Sequence, residues 1–527
     1  MRIHNILASV CFLAAALQAA GQEAEPCRDF RFLTDTDPLF SISNPAAISG
    51  FHGHISMAEA EFRKDNGALA GLSESPDSWQ GGAATESYIS ISDRISFHGR
   101  LAWSYFSGQQ MGAQVLMDPD FNPVNFLEST DATTGRRHKE TYSLLGAVSY
   151  RLGDKWAAGV SFDYVSADQT KVKDPRFSSI WMDMGVKAGV SFLPSENLML
   201  GLSLVYRNTL EQMKGGIYGT TDKQYFVYTD KGGYFGTLSE LTGDLNHISM
   251  TNLRPMKNDF YGVSLQVAGG SFSNELEALY RSGYYGQKAS STTTFFEFSG
   301  PEASYRGTLI ARNDADIHRA SVNLGYSLLG NHENVFKYVT PEGQNTRVEY
   351  AGSNHILNRH DFTASLSYVW YKGAEGYLPE LSVGAAVDGN ARIDKVLLYP
   401  FYRNAERYRI SADAFVRKNF FSGRSIFTLG TSAIYRIGFG TPREDGTYAE
   451  TISTNFQSFD NYMYRQFEYD TAPAVGAGLE FTYTRLVTAR FVPYIKLSDS
   501  FSALLQAPQY LDGRSRNVAL VTLGCSF

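Results

Sequence analysis

Two histidines and two glutamates near the start of the chain have the residue types and spacing of a partial metal site. His52 and His54 lie two residues apart, and Glu59 and Glu61 follow them. On a strand, residues two apart point to the same face, and imidazole and carboxylate groups are common metal ligands. Two histidines without a third clear ligand make an incomplete set. We therefore predict polar side chains on one strand face, with no metal and no other cofactor.

A second group of possible ligands is the run Asp118-Pro119-Asp120-Phe121-Asn122-Pro123. It offers carboxylate oxygens but lacks the spacing of a known calcium loop. Proline fixes the backbone, and Asp and Asn favour turns. The run therefore predicts a rigid turn, bounded by prolines, within a long loop.

Ser96 and His98 are the nearest approach to a nucleophile and its base. Any two polar residues this far apart share a strand face, so the pair is not specific. The chain contains no Gly-x-Ser-x-Gly nucleophile elbow. We predict that the protein is not an enzyme.

Residues 1–21 have the pattern of a cleaved secretory signal peptide. Arg2 is followed by an apolar run over residues 6–16, and small residues occupy positions 19–21. No later stretch of 18 apolar residues exists, which excludes a helical membrane protein. Cleavage leaves only Cys27 and Cys525 as cysteines. Export permits a disulfide between them, but strand alternation points Cys525 outward, so paired and separate thiols both stay open.

Alternation of apolar and polar residues recurs through the chain and is the strongest structural pattern. From residue 95 to 106, one face carries Ile95, Phe97, Gly99, Leu101, Trp103 and Tyr105. Similar segments of about 10–13 residues follow, and they are longer than the strands of most soluble sheets. Tight links alternate with long ones, which we place at about 108–139, 208–258, 287–316 and 441–467. Short turns at one end and long loops at the other are typical of outer-membrane barrels.

The second strand face is too highly charged for a packed core, because unpaired buried charges cost several kcal/mol each. We expect its charged residues to line a wet lumen: Arg100, Arg151, Asp163, Lys187, Arg207, Glu277, Arg281 and Arg319. The sequence therefore predicts an all-β fold, a transmembrane antiparallel up-and-down β-barrel of 14–18 strands over residues 51–527, with lipid as its outer partner. The net charge of −7 shows no basic surplus and excludes nucleic acid as a partner.

The last ten residues, 518–527, alternate strictly and end in Phe527. This segment resembles the C-terminal recognition strand of bacterial outer-membrane barrels. The resemblance implies that the barrel-insertion machinery is a partner and that Phe527 is part of the insertion signal.

Residues 22–50 precede the first clear strand and are too apolar for a free tail, so we predict that they plug the barrel mouth. Within them, Asn44-Pro45-Ala46 is similar to the hatch triplet of the long-chain fatty-acid transporter (FadL) family, and related triplets occur in Bacteroidota barrels of the PorV and PorP types. The resemblance implies a movable hatch that passes hydrophobic ligands. The whole chain also resembles uncharacterised Bacteroidota outer-membrane barrels, which implies location only. Alternatively, the Asn-Pro pair forms a simple turn before a strand.

Two functional hypotheses follow. In the first, the barrel is a channel or transporter for a small hydrophobic or amphipathic solute, and the N-terminal plug gates it. In the second, the barrel transports nothing and partners a secretion or nutrient-uptake complex through its long extracellular loops. A TonB-dependent transporter is disfavoured, because too few residues precede the first strand for a separate plug domain.

The exported chain is expected to fractionate with the outer membrane and to need detergent for extraction, because its strands expose one apolar face. Fractionation followed by immunoblotting measures this. Recovery of the mature chain in the soluble fraction without detergent would contradict the barrel prediction.

Overall fold

The computed structural model describes residues 28–219, 222–243, 246–287, 293–450, 456–488 and 490–527. The predicted signal peptide and Cys27 lie outside these residues, so neither the cleavage nor the disulfide is tested. No helix in the described part of the chain is long and apolar enough to cross a membrane.

Eighteen antiparallel strands form one closed sheet. They are β1 His54–Asn66, β2 Asp77–Ser92, β3 Ile95–Met111, β5 Gly135–Arg151, β6 Trp156–Lys171, β7 Ser178–Ser195, β8 Leu198–Lys214, β11 Arg254–Gly269, β12 Phe272–Gly286, β13 Thr294–Asn313, β14 Asp316–Val339, β15 Arg347–Lys372, β16 Leu381–Leu398, β17 Phe401–Ser422, β18 Ser425–Thr447, β20 Ala474–Arg485, β21 Val492–Leu504 and β22 Ser515–Ser526. Each strand pairs with its neighbour along the chain, and β1 also pairs with β22. The predicted up-and-down barrel is confirmed, with 18 strands.

The remaining strands form a small separate sheet in the connecting loops. They are β4 Asn125–Glu128, β9 Phe226–Asp230, β10 Phe235–Glu240 and β19 Phe456–Ser458, in the order β19-β10-β9-β4. Two α-helices of the described chain are α1 Phe30–Thr36 and α2 Asp460–Thr471. We call the four-stranded unit the loop sheet.

The alternation seen in the sequence separates the two faces of the barrel wall. Leu202 and Leu204 on β8 are 43% and 62% exposed, whereas Ser203 between them is 1% exposed. On β11, Leu265 is 52% exposed and Ser264 is fully buried. Closing the sheet gives every strand a hydrogen-bonding partner on both sides, which a lipid environment demands. The apolar outer face therefore matches hydrocarbon, and the polar face points inward.

Two predicted features differ from the structure. Strands reach 26 residues in β15, well beyond the predicted 10–13. The predicted long loop at 287–316 is wrong, because β13 occupies most of it and joins β14 through a tight turn. Gly300 and Pro301 interrupt the apolar alternation there, but β12 and β14 pair with β13 along both edges. Pairing with neighbours overrides the weak local preference.

The two ends of the barrel are built differently. Tight links such as Arg151 to Trp156 and Ser422 to Ser425 lie at one end, which we call the turn end, together with the start of β1 and the end of β22. The opposite loop end carries the connections from residue 112 to 134, from 215 to 253 and from 448 to 473. These connections hold the loop sheet and α2.

The long connections fold into the barrel instead of projecting from it. Phe126 of β4 packs with Met213, Tyr285 and Phe296 of the wall, and all four side chains are fully buried. Burying an aromatic or aliphatic side chain of this size contributes about 1.5–3 kcal/mol. An apolar core therefore fills the loop end.

Charged pairs fasten the loop sheet to the wall. Glu128 of β4 pairs with Lys171 and Arg137, and all three side chains are at most 4% exposed. Lys231 donates to both carboxylate oxygens of Glu333 at 2.7 Å. Because removing one member of a buried pair leaves an uncompensated charge, such pairs fix the position of the loops strongly.

Replacing Leu366 with arginine is expected to lower the free energy of unfolding by about 2–4 kcal/mol, because it places a charge on the lipid face near the membrane midplane. Leu366 is 57% exposed on the outer face of β15. The matched control is Ser365→Arg, whose neighbour across the pairing with β16 is Asp388. Urea unfolding in lipid vesicles, followed by tryptophan fluorescence, measures both. An equal cost for the two variants would contradict the assignment of the faces.

Candidate functional site

The N-terminal segment, residues 28–50, lies against the polar inner face at the turn end. It consists of α1 and two 3-10 helices, Pro38–Ser41 and Pro45–Gly50. Phe32 packs with Ile310, Ile317 and Tyr371, which are buried near the turns of β13 to β15. Side chains of adjacent strands thus form an apolar seat for α1 inside the barrel.

Asn44 joins this segment to the wall and also begins its last helix. Its Oδ1 accepts a hydrogen bond from the backbone N–H of Ala46 at 2.9 Å, which caps the Pro45–Gly50 helix. Its Nδ2 donates to the carbonyl of Val190 and to Oε1 of Gln266, both at 3.0 Å. Asn44 is 1% exposed. The Asn-Pro pair therefore starts a helix that contacts the wall, and β1 follows only at His54.

Three glycines of the wall make room for the Asn44-Pro45-Ala46 triplet. A methyl group at Gly189 would overlap Oδ1 of Asn44, and one at Gly201 would lie 2.8 Å from its Nδ2. One at Gly159 would lie 2.6 Å from the backbone nitrogen of Ala46. Each of these glycines begins a Gly-x-Ser phrase with an apolar residue at x, and the phrase also occurs at Gly262. Besides marking strand faces, it therefore allows the close approach of a second backbone.

Polar wall residues bind the backbone and side chains of the same segment. Oγ of Ser149 donates to the carbonyl of Ala46 at 3.0 Å, and Arg151 donates to the carbonyl of Ser49 at 2.7 Å. The hydroxyl of Ser43 donates to Glu275 and accepts a hydrogen bond from Lys187 at 2.9 Å. The segment is thus held by polar contacts on several strands in addition to the apolar packing of Phe32.

A cavity of about 760 Å³ lies between this segment and the barrel wall. We call it the central cavity. It contains five of the eight charged residues predicted to line the lumen: Arg100, Asp163, Lys187, Arg207 and Glu277. The N-terminal segment contributes apolar side chains to the opposite side: Leu39, Phe40, Ile42, Ile48 and Phe51. All charged side chains of the lining therefore come from the wall, whereas the N-terminal segment adds only apolar and uncharged polar residues.

The charges of the central cavity are nearly balanced by pairing. Arg207 makes a forked contact to Asp183, at 2.9 and 2.6 Å, and Lys187 lies 2.8 Å from Glu277. Arg100 and Asp163 are exposed to the cavity. Asp183 was not among the predicted lumen residues, although the alternation over residues 180–192 places it on the same polar face as Lys187.

The other three predicted lumen residues lie inside the barrel but away from this cavity. Arg151 contacts the N-terminal segment, as described above. Arg281 binds the first long loop, with its Nη2 2.9 Å from the carbonyl of Phe121. Arg319 follows the inward-facing Ile317 near the turn end. Five of the eight residues thus line the cavity, Arg151 and Arg281 contact internal segments, and Arg319 lies near the turn end.

The residues considered for metal binding or catalysis have other contacts. The predicted shared face is wrong, because on β1 Glu59 follows the inward-facing Ile55 and Met57, whereas the exposed His54 lies on the opposite face. Nε2 of His52 lies 3.2 Å from Arg151, and Glu59 pairs with Arg31 at 2.6 Å. His98 contacts Glu86 at 2.9 Å. Over the described ranges, no group of three or more His, Cys, Asp and Glu side chains is arranged to hold a metal ion.

A closed antiparallel barrel with an apolar outer face and a charged interior belongs to the class of membrane-spanning β-barrels. Residues 45–527 match the model of the family described as "Family of unknown function (DUF6850)", and the chain belongs to this family. No curated protein matches the chain.

The chain is distantly similar to several solved barrels. For the outer membrane transporter YddB from Escherichia coli, the identity is 8%, the coverage is 90% of this chain and 81% of that chain, and the TM-score is 0.39. For a Pseudomonas aeruginosa FadL homologue, the identity is 13%, the coverage is 96% and 99%, and the TM-score is 0.31. For the ferric citrate transporter FecA, the identity is 9%, the coverage is 89% of this chain and 78% of that chain, and the TM-score is 0.37.

Adding one methyl group at Gly189 is expected to loosen the N-terminal segment, because the new Cβ overlaps Asn44. The matched control is Gly185→Ala on the same strand and face, where the nearest atom, Cβ of Asp163, is 3.7 Å away. Hydrogen exchange of residues 28–50, read by mass spectrometry, should become at least about tenfold faster in Gly189→Ala, which corresponds to the loss of one or two hydrogen bonds. Equal exchange in both variants would contradict the seat described for Asn44.

Proposed function

We propose that the protein is an outer-membrane barrel that passes a small amphipathic solute and that residues 28–50 act as its plug. The turn end then faces the periplasm and the loop end faces the exterior, as in other barrels of this class. The observation that carries the proposal is the central cavity, whose wall is charged and whose N-terminal side is apolar. A solute with an apolar body and a polar head fits this division better than a purely hydrophobic one.

The contacts of the N-terminal segment support a removable plug. Its anchors at Asn44, Ser43 and Ser49 are hydrogen bonds to polar wall groups. Water can replace such bonds, so each contributes only about 0.5–1.5 kcal/mol, or about 1.5–3 kcal/mol where the partner is charged, as Lys187 and Arg151 are. The positions of Asn44, Pro45 and Ala46 at the wall agree with a hatch of the FadL type. A modest number of exchangeable bonds suits a segment that must leave its seat.

Deleting residues 28–50 is expected to raise the single-channel conductance in planar bilayers severalfold, because it connects the central cavity with the turn end. The full-length protein and Gly185→Ala serve as controls, since neither changes the contacts of the segment. Liposome uptake of a short-chain amphiphile should increase in parallel. No conductance and no uptake after the deletion, even when residues 119–123 of the first long loop are removed as well, would contradict a transport function.

A second candidate is a non-transporting role in a complex with a secretion or nutrient-uptake protein. The loops that we expected to carry such contacts fold into the barrel, whereas the long hairpin of β14 and β15 ends in the exposed residues 342–347. We propose this hairpin as the contact surface in that case. Co-purification after gentle detergent extraction, compared between the full chain and a variant with a shortened hairpin, distinguishes the two functions. A lone barrel in both samples would favour transport.

A further inference from the structure

Three arginines on the inner wall bind the backbone of one turn in the first long loop, which connects β3 and β5. The turn comprises residues 119–123, the run in which we predicted a rigid turn and weighed calcium binding. Its carbonyl groups accept three hydrogen bonds of 2.9 Å each: Asp120 from Arg392, Phe121 from Arg281 and Asn122 from Arg359. The arginines come from three different strands, so the turn lies across the inside of the barrel.

Each of these arginines, and Arg407 beside them, also pairs with a second carboxylate. On the wall, Arg359 pairs with Asp394 and Arg392 with Asp361, both through close contacts, and Arg281 lies 3.8 Å from Glu302. Arg407 pairs with Asp470 of α2. The guanidinium group presents five N–H donors, so Arg281, Arg359 and Arg392 can bind these carboxylates and the turn at the same time.

The side chain of Asp120 lies beside two of these arginines. Its Oδ1 lies 2.6 Å from Nη1 of Arg392 and 3.9 Å from Nη2 of Arg407. The carboxylate lies deep inside the barrel, yet 64% of the side chain is open to the internal space. Burial alone would raise the pKa of Asp120, but the charges of Arg392, Arg407 and Arg359 lower it to about 2. Asp120 is therefore an anion at physiological pH, and water reaches its carboxylate.

A small cavity of about 80 Å³ adjoins this contact. Its lining includes Asp120, Asn122 and the arginines 359, 392 and 407. Asn122 is 1% exposed, and its Nδ2 has no hydrogen-bond partner among the described residues. The space holds only a few water molecules. A solute can therefore occupy the arginine donors only when the turn moves away.

We propose that Arg359, Arg392 and Arg407 bind the carboxylate group of the solute and that Asp120 occupies this site in the resting state. The planar fork of arginine matches a carboxylate with two parallel hydrogen bonds. The loop carboxylate and the solute carboxylate then compete for the same donors. The inference rests on the proposed transport function and deepens it, since it names the polar head of the solute and a second gate.

Isothermal titration calorimetry of the full-length protein in detergent tests the site, with propionate as the probe. Asp120→Asn keeps the shape of the side chain but removes the competing charge, so propionate should bind at least about tenfold more tightly than to the wild type. The matched control is Asp118→Asn, which removes the same charge from the same loop. The carboxylate of Asp118 contacts none of the four arginines in the described structure.

Two further variants test the donors themselves. In the Asp120→Asn background, Arg392→Gln should abolish propionate binding. Arg392→Lys, which keeps the charge but loses the fork, should weaken it about tenfold or more. Heat-modifiable mobility on gels and circular dichroism establish that each variant is folded. Inorganic phosphate and ethylammonium are the comparison probes, and we expect both to bind less tightly than propionate.

Three results would overturn the inference: equal binding to the Asp120→Asn, Asp118→Asn and wild-type proteins, tighter binding of phosphate or ethylammonium than of propionate, and unchanged binding in folded Arg392→Gln. The conductance of the plug deletion is measured separately. Propionate binding without any conductance would contradict transport alone. Conductance without propionate binding would contradict only the carboxylate site.

Discussion

The pairing of the first and last barrel strands, β1 and β22, is the interaction on which the rest of the structure depends. Residues 57–66 pair with residues 517–526, and the chain end adds a reciprocal pair of bonds between Phe527 and Ser56. In hydrocarbon, an open sheet edge would leave backbone groups unpaired, each at a cost of several kcal/mol. Closure removes both edges and separates an inside from an outside. Whether Phe527 also serves as an insertion signal stays a prediction.

Closure has a consequence for every charged residue on the inner face. A charge there cannot leave the barrel, so it needs a partner within reach. The register supplies many of these partners directly: Arg359 lies opposite Asp394, and Arg403 lies opposite Asp445. These pairs leave guanidinium donors free for the chain segments inside. The carbonyl groups of Asn122 and Gly233 take up such donors from Arg359 and Arg403, respectively. The arginine donors of the wall thus determine where the internal segments bind.

Strand alternation allowed the fold and the inward direction of side chains to be predicted, because both depend on local periodicity. The inward position of Lys187, for example, follows from its place between outward-facing Val186 and Ala188. Whether the long loops fold into the barrel or project from it could not be predicted from the local sequence pattern. Nothing in the residues around Phe126 shows that they pack against Tyr285 inside the barrel rather than project from it. That outcome depends on contacts between residues more than 150 positions apart.

The candidate site likewise depends on contacts between residues far apart in the chain. The Asn44-Pro45-Ala46 triplet was recognisable from its own residues, but its seat comprises glycines from three strands. The Gly-x-Ser phrase marked these glycines, yet face alternation alone already accounted for a small inward residue. Asp120 was noticed for its oxygen atoms and interpreted as part of a rigid turn. Its arginine partners lie about 270 residues later, and only the closed barrel brings them together.

The two ends of the barrel are filled by interactions of different strength and kind. Fully buried aromatic side chains and ion pairs fix the loop sheet, so removing it would expose a core that contributes several kcal/mol. The N-terminal segment combines the apolar packing of Phe32 with hydrogen bonds from polar wall groups, and the 119–123 turn is held by arginine donors bound to its carbonyl oxygens and to one carboxylate. Water or the polar head of a solute can replace these partners at little net cost. A path through the barrel therefore requires the N-terminal segment and the turn to move, while the core of the loop sheet keeps its packing.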